Sequence, residues 1–229
     1  MEIKILQLLD GARKAEGLTV IIDVFRAFSV ACYAFDQGVS KIYPVGQIDL
    51  AYGLKEKHPD YILVGERHEQ KPEGFDYGNS PSQIRRDRLD GKVMVHTTSS
   101  GTQGIVNATK ADELITGSFV NAGAIIRYIR QQQPKKLSLV CMGYACQHPT
   151  DEDTFLAEYI KACLEGESVD FEEMVETLRT GAGARFFAPE KQAWAPQADF
   201  DLCLDLDRFD FVLQVKREAD LFYLQKAVV

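Results

Sequence analysis

Short apolar runs alternate along the chain with stretches in which apolar residues recur at helical spacing. Residues 18–23 read LTVIID, an apolar run of the kind that is buried on both faces of a parallel sheet. A helix is predicted over 28–37, with Gly38 as its C-cap. Two further strands are predicted at 41–45 and 61–64, with a helix between them at 48–57. This part of the chain therefore predicts a β-α-β-α-β unit.

The same order of elements is predicted again after a polar segment at 68–90, which is too long for a passive connector and is interpreted as a functional loop. Strands are predicted at 93–95, 113–116 and 136–142, with one helix after the turn at 97–102 that ends at about 110 and another over 121–132. The repeated order suggests a duplication of 18–67 and 92–143. We expect one domain over 1–229, with three α/β/α layers, a parallel or mixed sheet and two related β-α-β-α-β halves.

Beyond residue 142 the pattern changes. Helices are predicted over 150–165 and 171–178, whereas 184–201 shows no regular period. The C-terminal extension, about 202–229, is compatible with an edge strand or with a dimer contact, and a homodimer is the default expectation for a soluble oligomer.

Composition restricts the classes of partner. Twenty-six basic and 34 acidic residues give a net charge of −8, which argues against nucleic acid and anionic membranes as partners but allows a small anionic substrate. Five scattered cysteines without a C-x-x-C pair predict reduced thiols rather than disulfides or a zinc ribbon. The N-terminal residues lack the features of a signal peptide, so we expect a cytoplasmic protein without a membrane span.

Residues with useful chemistry follow the predicted strands. Parallel strands would bring these loops together at one edge of the sheet, where ligands bind in α/β folds. The candidates are Asp23, Arg26, Glu66, Arg67, Thr97, Thr98, Ser99, Ser100, Gly101, Thr102, Ser118 and Asn121.

Each candidate also has a structural interpretation. Asp23 can pair with Arg26, and Glu66 with Arg67, as ordinary ion pairs. The hydroxyl-rich turn at 97–102 has the components of an anion cradle, but it can equally cap a helix. Ser118 and Asn121 can likewise be helix caps.

Glu152 and Asp153 fall in the first turn of a predicted helix. There they can complement the helix dipole or, as hard oxygen ligands, hold Mg²⁺. His96 is a candidate acid/base group, although a lone histidine at a strand end is more often structural. A P-loop, a cysteine-phosphatase loop, the second aspartate of haloacid-dehalogenase phosphatases and a zinc-binding spacing are all missing from the sequence.

Taken together, the loops resemble those of the ComB-like 2-phosphosulfolactate phosphatases. The resemblance covers roughly 18–165 and rests on VIIDVFRA at 20–27, GER at 65–67, FDYGNSP at 75–81, TTSSGT at 97–102, GSFVNA at 117–122 and Glu152-Asp153. It implies a three-layer α/β fold and a Mg²⁺-dependent phosphatase that converts 2-phospho-3-sulfolactate to 3-sulfolactate and phosphate, a step of coenzyme M biosynthesis. Ser100 stands where the family often has Asn, and 141–150 and the C-terminal third differ from the family.

In this interpretation Asp23 and Glu152 hold Mg²⁺, with Asp153 or Glu66 as a further ligand. The turn at 97–102 binds the phosphoryl group, Arg26 or Arg67 pairs with an anionic group, and Asn79 and Asn121 orient the substrate. Either metal-activated water or Asp23 is the nucleophile. The alternatives are a phosphatase for another 2-phospho-hydroxy acid and a non-catalytic sensor of a phosphorylated or sulfonated metabolite.

Overall fold

Ten strands form a single sheet in the computed structural model, which describes all 229 residues. They are β1 (Glu2–Gln7), β2 (Gly17–Ile22), β3 (Lys41–Pro44), β4 (Ile62–Gly65), β5 (Tyr77–Gly78), β6 (Val93–Thr97), β7 (Ala111–Gly117), β8 (Lys136–Cys141), β9 (Phe211–Glu218) and β10 (Leu221–Val228). Their order across the sheet is β1-β8-β2-β7-β9-β10-β3-β6-β4-β5. Two groups of parallel strands thus flank a central antiparallel hairpin.

Nine α-helices connect or cover the strands. They are α1 (Leu8–Lys14), α2 (Ala27–Asp36), α3 (Ile48–Lys57), α4 (Pro81–Ile84), α5 (Gly101–Asn107), α6 (Ala122–Gln132), α7 (Asp151–Glu165), α8 (Phe171–Thr180) and α9 (Gln197–Cys203). Short 3-10 helices lie at Phe119–Asn121, Ala184–Phe187 and Pro189–Lys191. No helix is both long enough and apolar enough to cross a membrane.

Helix α2 lies inside the curled sheet rather than on its surface. Its sequence, AFSVACYAFD, has small or apolar side chains on every face, and every residue from Ala27 to Phe35 is buried. Phe28 packs in one core with Ile42 of β3 and Met94 of β6, which lie beyond the hairpin from β2. The two groups of strands therefore enclose α2 between them.

The outer faces of the sheet carry the remaining helices. Helices α6 and α7 cover β2 and β8, and α3 covers the outer face of β4 and β6. Helices inside and outside one sheet confirm the predicted α/β/α layering.

The C-terminal hairpin corrects one expectation. Strands β9 and β10 are central, because β9 pairs with β7 at Ile115↔Gln214 and β10 pairs with β3 at Leu224↔Ile42. The prediction of an edge strand was therefore wrong. Val212 and Leu213 of β9 are buried in the cores on opposite faces of the sheet, as an interior strand requires. The edges of the sheet are instead β1 and β5, and β1, which was not predicted, alternates Glu2 and Lys4 with Ile3 and Ile5.

The strand order is symmetric about the hairpin. Outward from it, one side runs β7, β2, β8 and the other runs β3, β6, β4. Matching β2 with β6, β3 with β7 and β4 with β8 relates the two sides, and these are the pairs that the repeated pattern of 18–67 and 92–143 implies. Each half contributes strands to both sides, so the loops after β2 and β6 occupy equivalent positions. The duplication itself stays a prediction.

Candidate active site

A polar cavity of about 270 Å³ lies where β2, β4, β6 and β8 end. Asp23 follows β2, Glu66 follows β4, Thr98 follows β6 and Gly143 follows β8. The predicted site residues that line the cavity are Asp23, Arg26, Glu66, Asn79, Thr98, Ser99, Ser100 and Glu152. Convergence of loops at the carboxyl ends of strands thus places most of the predicted chemistry in one pocket.

Asp23 is held rigidly at the base of the cavity. Its Oδ1 accepts a hydrogen bond from the backbone N of Ala27 at 3.0 Å, and its Oδ2 accepts one from the N of Gly101 at 2.8 Å. A Cβ atom on residue 101 would lie 2.8 Å from Asp23 Oδ2, so only glycine lets this N–H come so close. Burial nevertheless raises the pKa of Asp23 to about 6.

Glu152, in the first turn of α7, carries an unsatisfied oxygen. Its Oε2 is buried and has no hydrogen-bond partner. Burial raises the pKa of Glu152 to about 7, although the positive charge of Arg185 acts in the opposite direction. An ionised carboxylate that is buried without a full set of partners is costly, so this oxygen is suited to a ligand that the protein does not itself supply.

Glu66 is bound by the turn that was expected to bind phosphate. Its Oε1 accepts from Ser99 N at 2.6 Å, and its Oε2 accepts from Ser99 Oγ at 3.2 Å and from Glu69 N at 3.0 Å. The N–H groups of Ser99 and Gly101 therefore bond to carboxylates of the protein. They are not free donors of an anion cradle, contrary to that expectation.

The rest of the hydroxyl-rich turn is divided between the cavity and internal bonds. Thr98 and Ser100 line the cavity. Thr102 does not, because its Oγ1 donates to the carbonyl of Thr98 and accepts from Thr98 N, both at 3.0 Å, and so closes the turn before α5. Thr97 is also turned away, because its Oγ1 accepts from Arg67 Nη2 at 2.7 Å. Thr97, Gly101 and Thr102 are thus occupied by bonds within the protein and do not line the cavity.

Asp153 and Arg67 hold loops in place instead of reaching the cavity. Asp153 Oδ1 accepts from Val24 N and its Oδ2 from Gly143 N, both at 2.8 Å. Asp153 thereby joins the loops after β2 and β8, and unlike Asp23 it does not line the cavity. Arg67 donates to the carbonyls of Glu66 and Gly46 as well as to Thr97. Neither predicted role, as metal ligand or as anion-binding arginine, fits these contacts.

Arg26 lines the cavity and forms a buried ion pair with Asp199, a residue that was not among the predicted site residues. Its Nη1 donates to Asp199 Oδ2 at 2.5 Å, and both side chains are buried. The other oxygen of Asp199 accepts from Ser80 Oγ at 3.0 Å and Ser82 N at 2.9 Å. The expected Asp23–Arg26 ion pair does not form, so Asp23 keeps no guanidinium partner of its own.

Arg185 is a second cation in the cavity, and it was also missed. Its Nη1 donates to Glu69 Oε1 and its Nη2 to the carbonyl of Phe25, both at 3.0 Å. Its guanidinium lies 5.2 Å from the ring centre of Phe186. The one signal in the sequence is the small-residue run 181–184, GAGA, directly before this arginine in an otherwise irregular segment.

Asn79 and the segment after β8 complete the walls. Asn79 Oδ1 lies 3.2 Å from His96 Nε2, and no protein acceptor bonds to its amide nitrogen. His96 itself is fully buried and does not line the cavity, which excludes it as a direct acid or base. The segment after β8 contributes Gly143, Tyr144, Ala145 and Gln147 to the lining.

Ser118 and Asn121 lie away from the cavity in a capping box of the 3-10 helix Phe119–Asn121. Asn121 Oδ1 accepts from Ser118 N, and its Nδ2 donates to the carbonyl of Phe211, each at 3.2 Å. Both residues are fully buried. The prediction that they bind substrate is therefore corrected, because the residue types that bind anions are also those that cap helices.

Mutation should distinguish the role of Asn79, which lines the cavity, from that of Asn121, which caps a helix. Asn121→Ala is expected to lower the free energy of unfolding by about 1–3 kcal/mol, because it leaves buried backbone groups unsatisfied, and to leave kcat/KM unchanged. Asn79→Ala should lower kcat/KM with the smaller effect on stability. Urea unfolding and steady-state kinetics of both variants measure this, and a loss of activity in folded Asn121→Ala would contradict the assignment.

The family model and the relatives that this chain matches carry the same description. The family model described as 2-phosphosulpholactate phosphatase matches residues 4–218. A Bacillus subtilis (strain 168) protein named "Probable 2-phosphosulfolactate phosphatase" is 30% identical over 215 residues, which are 93% of this chain and 92% of that protein. A Thermoplasma volcanium protein of the same name is 30% identical over 90% of this chain and 94% of its own. One from Thermotoga petrophila is 40% identical over 124 residues, 54% of this chain and 52% of its own.

Proposed function

Because the chain belongs to the 2-phosphosulfolactate phosphatase family, we propose that it hydrolyses 2-phospho-3-sulfolactate to 3-sulfolactate and phosphate with the help of Mg²⁺. The observation that carries the proposal is that two buried carboxylates, Asp23 and Glu152, share one cavity with two guanidinium groups, Arg26 and Arg185. In this proposal the reaction is the dephosphorylation step of a coenzyme M type of pathway.

The charges of the cavity support a divalent cation. Two guanidinium groups face four carboxylates, those of Asp23, Glu66, Glu69 and Glu152. A phosphate ester with further acidic groups would be repelled by this surplus of negative charge unless a cation offset it. The orphaned Oε2 of Glu152 fits such a ligand.

Asp23 and Glu152 are the residues that would hold the ion. No three His, Cys, Asp or Glu side chains are grouped so that they could hold a metal by themselves. Mg²⁺ typically takes one or two protein carboxylates and completes its shell with water and substrate phosphate, so a pair of carboxylates suits it. When bound, Mg²⁺ supplies positive charge to the phosphoryl oxygens and acidifies water.

The chain's own groups then orient the ester and offset its charge. Arg26 and Arg185 are held by Asp199 and Glu69, so their remaining N–H groups can donate to phosphoryl, carboxylate or sulfonate oxygens without further ordering. The hydroxyls of Ser99 and Ser100 lie at the same wall of the cavity. Because both oxygens of Asp23 already accept backbone N–H bonds, its geometry favours attack by water over attack by Asp23 itself.

A panel of 2-phospho acids tests the function. We expect phosphate release that requires Mg²⁺, is abolished by EDTA, and is fastest with 2-phospho-3-sulfolactate. Equal or higher kcat/KM for an acid without the sulfonate would move the function to another 2-phospho-hydroxy acid. Binding without release of phosphate from any member of the panel would indicate a sensor instead of an enzyme.

Metal-free protein should become less stable as the pH rises. The ordinary pKa values of 3.8 for Asp23 and 4.5 for Glu152 are raised to about 6 and about 7, so the folded state binds more protons than the unfolded state between these values. The stability that these two groups contribute is therefore fully present below their unfolded pKa values and is lost as the pH rises through the folded ones. We expect a loss of about 3 kcal/mol between pH 5 and 8 from Glu152, to be measured by chemical denaturation.

Mg²⁺ at pH 8 should restore that stability, since it binds the ionised carboxylates of the folded state only. Glu152→Gln should flatten the pH dependence and weaken the response to Mg²⁺. Asp151→Asn is the matched control, because Asp151 is the exposed neighbour in the same turn of α7. If metal-free wild type and Glu152→Gln lost stability equally with rising pH, the burial of an ionised Glu152 would be ruled out.

A further inference from the structure

His96 lies behind the cavity wall, where it contacts a site residue without contacting the site. It belongs to β6 and is completely buried. Its Nε2 is 3.2 Å from Asn79 Oδ1, whereas its Nδ1 is buried without any partner. Asn79 does line the cavity, and its amide nitrogen bonds to no protein acceptor. The orientation of the Asn79 amide therefore depends on which ring nitrogen of His96 carries the proton.

The ring of His96 is neutral. Burial, together with the positive charge of Arg67, lowers the pKa of His96 to about 3. A neutral imidazole has one N–H, so one ring nitrogen donates and the other accepts. Two arrangements of the pair remain.

The surroundings distinguish these arrangements. A proton on Nδ1 would leave a buried donor unsatisfied, and buried unpaired N–H groups are rare in proteins. It would also make Nε2 an acceptor, so the Asn79 amide would turn its oxygen toward the carboxylates of the cavity. A proton on Nε2 leaves only an unpaired lone pair on Nδ1, and Oδ1 of Asn79 accepts from the ring. The amide nitrogen of Asn79 then faces the cavity.

We propose that His96 is a positioning residue: its Nε2–H holds Asn79 Oδ1, so that Asn79 Nδ2 donates to an anionic oxygen of the substrate. The identity of that anion, a phosphoryl, carboxylate or sulfonate oxygen, rests on the proposed function. The orientation of the pair is a property of the protein alone. The cavity would then offer an anionic substrate three donor side chains, the neutral amide of Asn79 and the guanidinium groups of Arg26 and Arg185.

A double-mutant cycle tests the coupling. His96→Met removes the ring donor at similar volume, and Asn79→Ala removes the amide. Each change should lower kcat/KM by about tenfold or more, the cost of losing one hydrogen bond to a charged group, and Asn79→Ala/His96→Met should be no worse than Asn79→Ala. His96→Gln, whose amide nitrogen can occupy the position of Nε2, should recover most of the activity. Multiplicative losses in the double variant, or no rescue by glutamine, would overturn the proposal.

A second measurement does not depend on activity. Nitrogen-15 NMR of the histidine side chains in the substrate-free protein should show His96 protonated on Nε2 alone at neutral pH, with its signals identified by their loss in His96→Gln. Signals for an Nδ1–H tautomer or for an imidazolium would overturn the orientation. If the panel of phospho acids gave no turnover while NMR found Nε2–H, the proposed function would fail and the His96–Asn79 geometry would stand.

Discussion

Replacing Asp23 with asparagine is expected to reduce kcat for phosphate release by about 10³-fold or more. The change removes a negative charge from the pair that would hold Mg²⁺. It also replaces one acceptor oxygen by a donor, although both Asp23 oxygens accept backbone N–H groups, from Ala27 and Gly101. Activity should therefore fall both from lost metal affinity and from displaced loops. Steady-state kinetics at saturating Mg²⁺, with calorimetric measurement of Mg²⁺ binding, separate the two effects.

Asp151→Asn serves as the control, since it removes one negative charge from an exposed position near the cavity. It should retain wild-type kcat. If Asp23→Asn remained folded, bound Mg²⁺ as the wild type does and kept wild-type kcat, Asp23 would have no part in the reaction.

The nucleophile can be identified on the wild-type protein. Rapid acid quench during turnover, followed by mass spectrometry of the peptide that contains Asp23, would detect an acyl phosphate. We expect none, because the two N–H bonds that Asp23 accepts stabilise its carboxylate and reduce its nucleophilicity. A phosphorylated Asp23 peptide would establish covalent catalysis instead.

Much of this site could be predicted because its residues immediately follow strands. Asp23, Glu66 and Ser99 were identified from apolar runs that end in polar turns, and the ends of strands converge in α/β folds. Glu152 was identified from its place in the first turn of α7. Such local patterns are sufficient when the chain places a residue within a few positions of the element that orients it.

Residues that reach the cavity from distant segments could not be found in this way. Arg185 lies in an irregular segment, and its partner Glu69 is 116 positions away in the chain. Asp199 pairs with Arg26 over 173 positions. Ion pairs of this kind depend on tertiary structure, which hydrophobic periodicity does not report. Ser118 and Asn121 show the opposite error, since a capping box has the same composition as an anion-binding turn.

The strand order illustrates the same limit at the level of the fold. The positions of β2, β3, β4, β6, β7 and β8 followed from their apolar runs, but their partners did not. β2 pairs with β7 and β8, with Leu18 opposite Glu113 and Leu137, and β3 and β4 both pair with β6. These pairings between distant strands build the sheet that encloses α2, whose residues from Ala27 to Phe35 are all buried, and a local apolar pattern does not report them.

Among the substitutions proposed here, removal of the Asp199 carboxylate should cause the largest loss in the free energy of unfolding. Asp199→Ala leaves the buried guanidinium of Arg26 without its carboxylate, and it also removes the acceptor of Ser80 Oγ and Ser82 N. Breaking a buried ion pair from one side typically costs 3–5 kcal/mol, and we expect a loss of about 4 kcal/mol in the free energy of unfolding. Asp199→Asn, which keeps one acceptor oxygen, should lose less. Asp201→Ala, an exposed change on the same helix α9, should be neutral.

A double replacement separates the stabilising role of this pair from its role in the site. Arg26→Met/Asp199→Leu exchanges the ion pair for apolar side chains and should recover much of the stability lost in Asp199→Ala, because no buried charge is left unpaired. It should not recover activity, because Arg26 is one of the two arginines that line the cavity and are proposed to bind the anionic substrate. Denaturant unfolding and kcat/KM of Asp199→Ala and of the double variant give the answer together. A stable double variant with wild-type kcat/KM would show that Arg26 only supports the fold, and the anion-binding role would then belong to Arg185 alone.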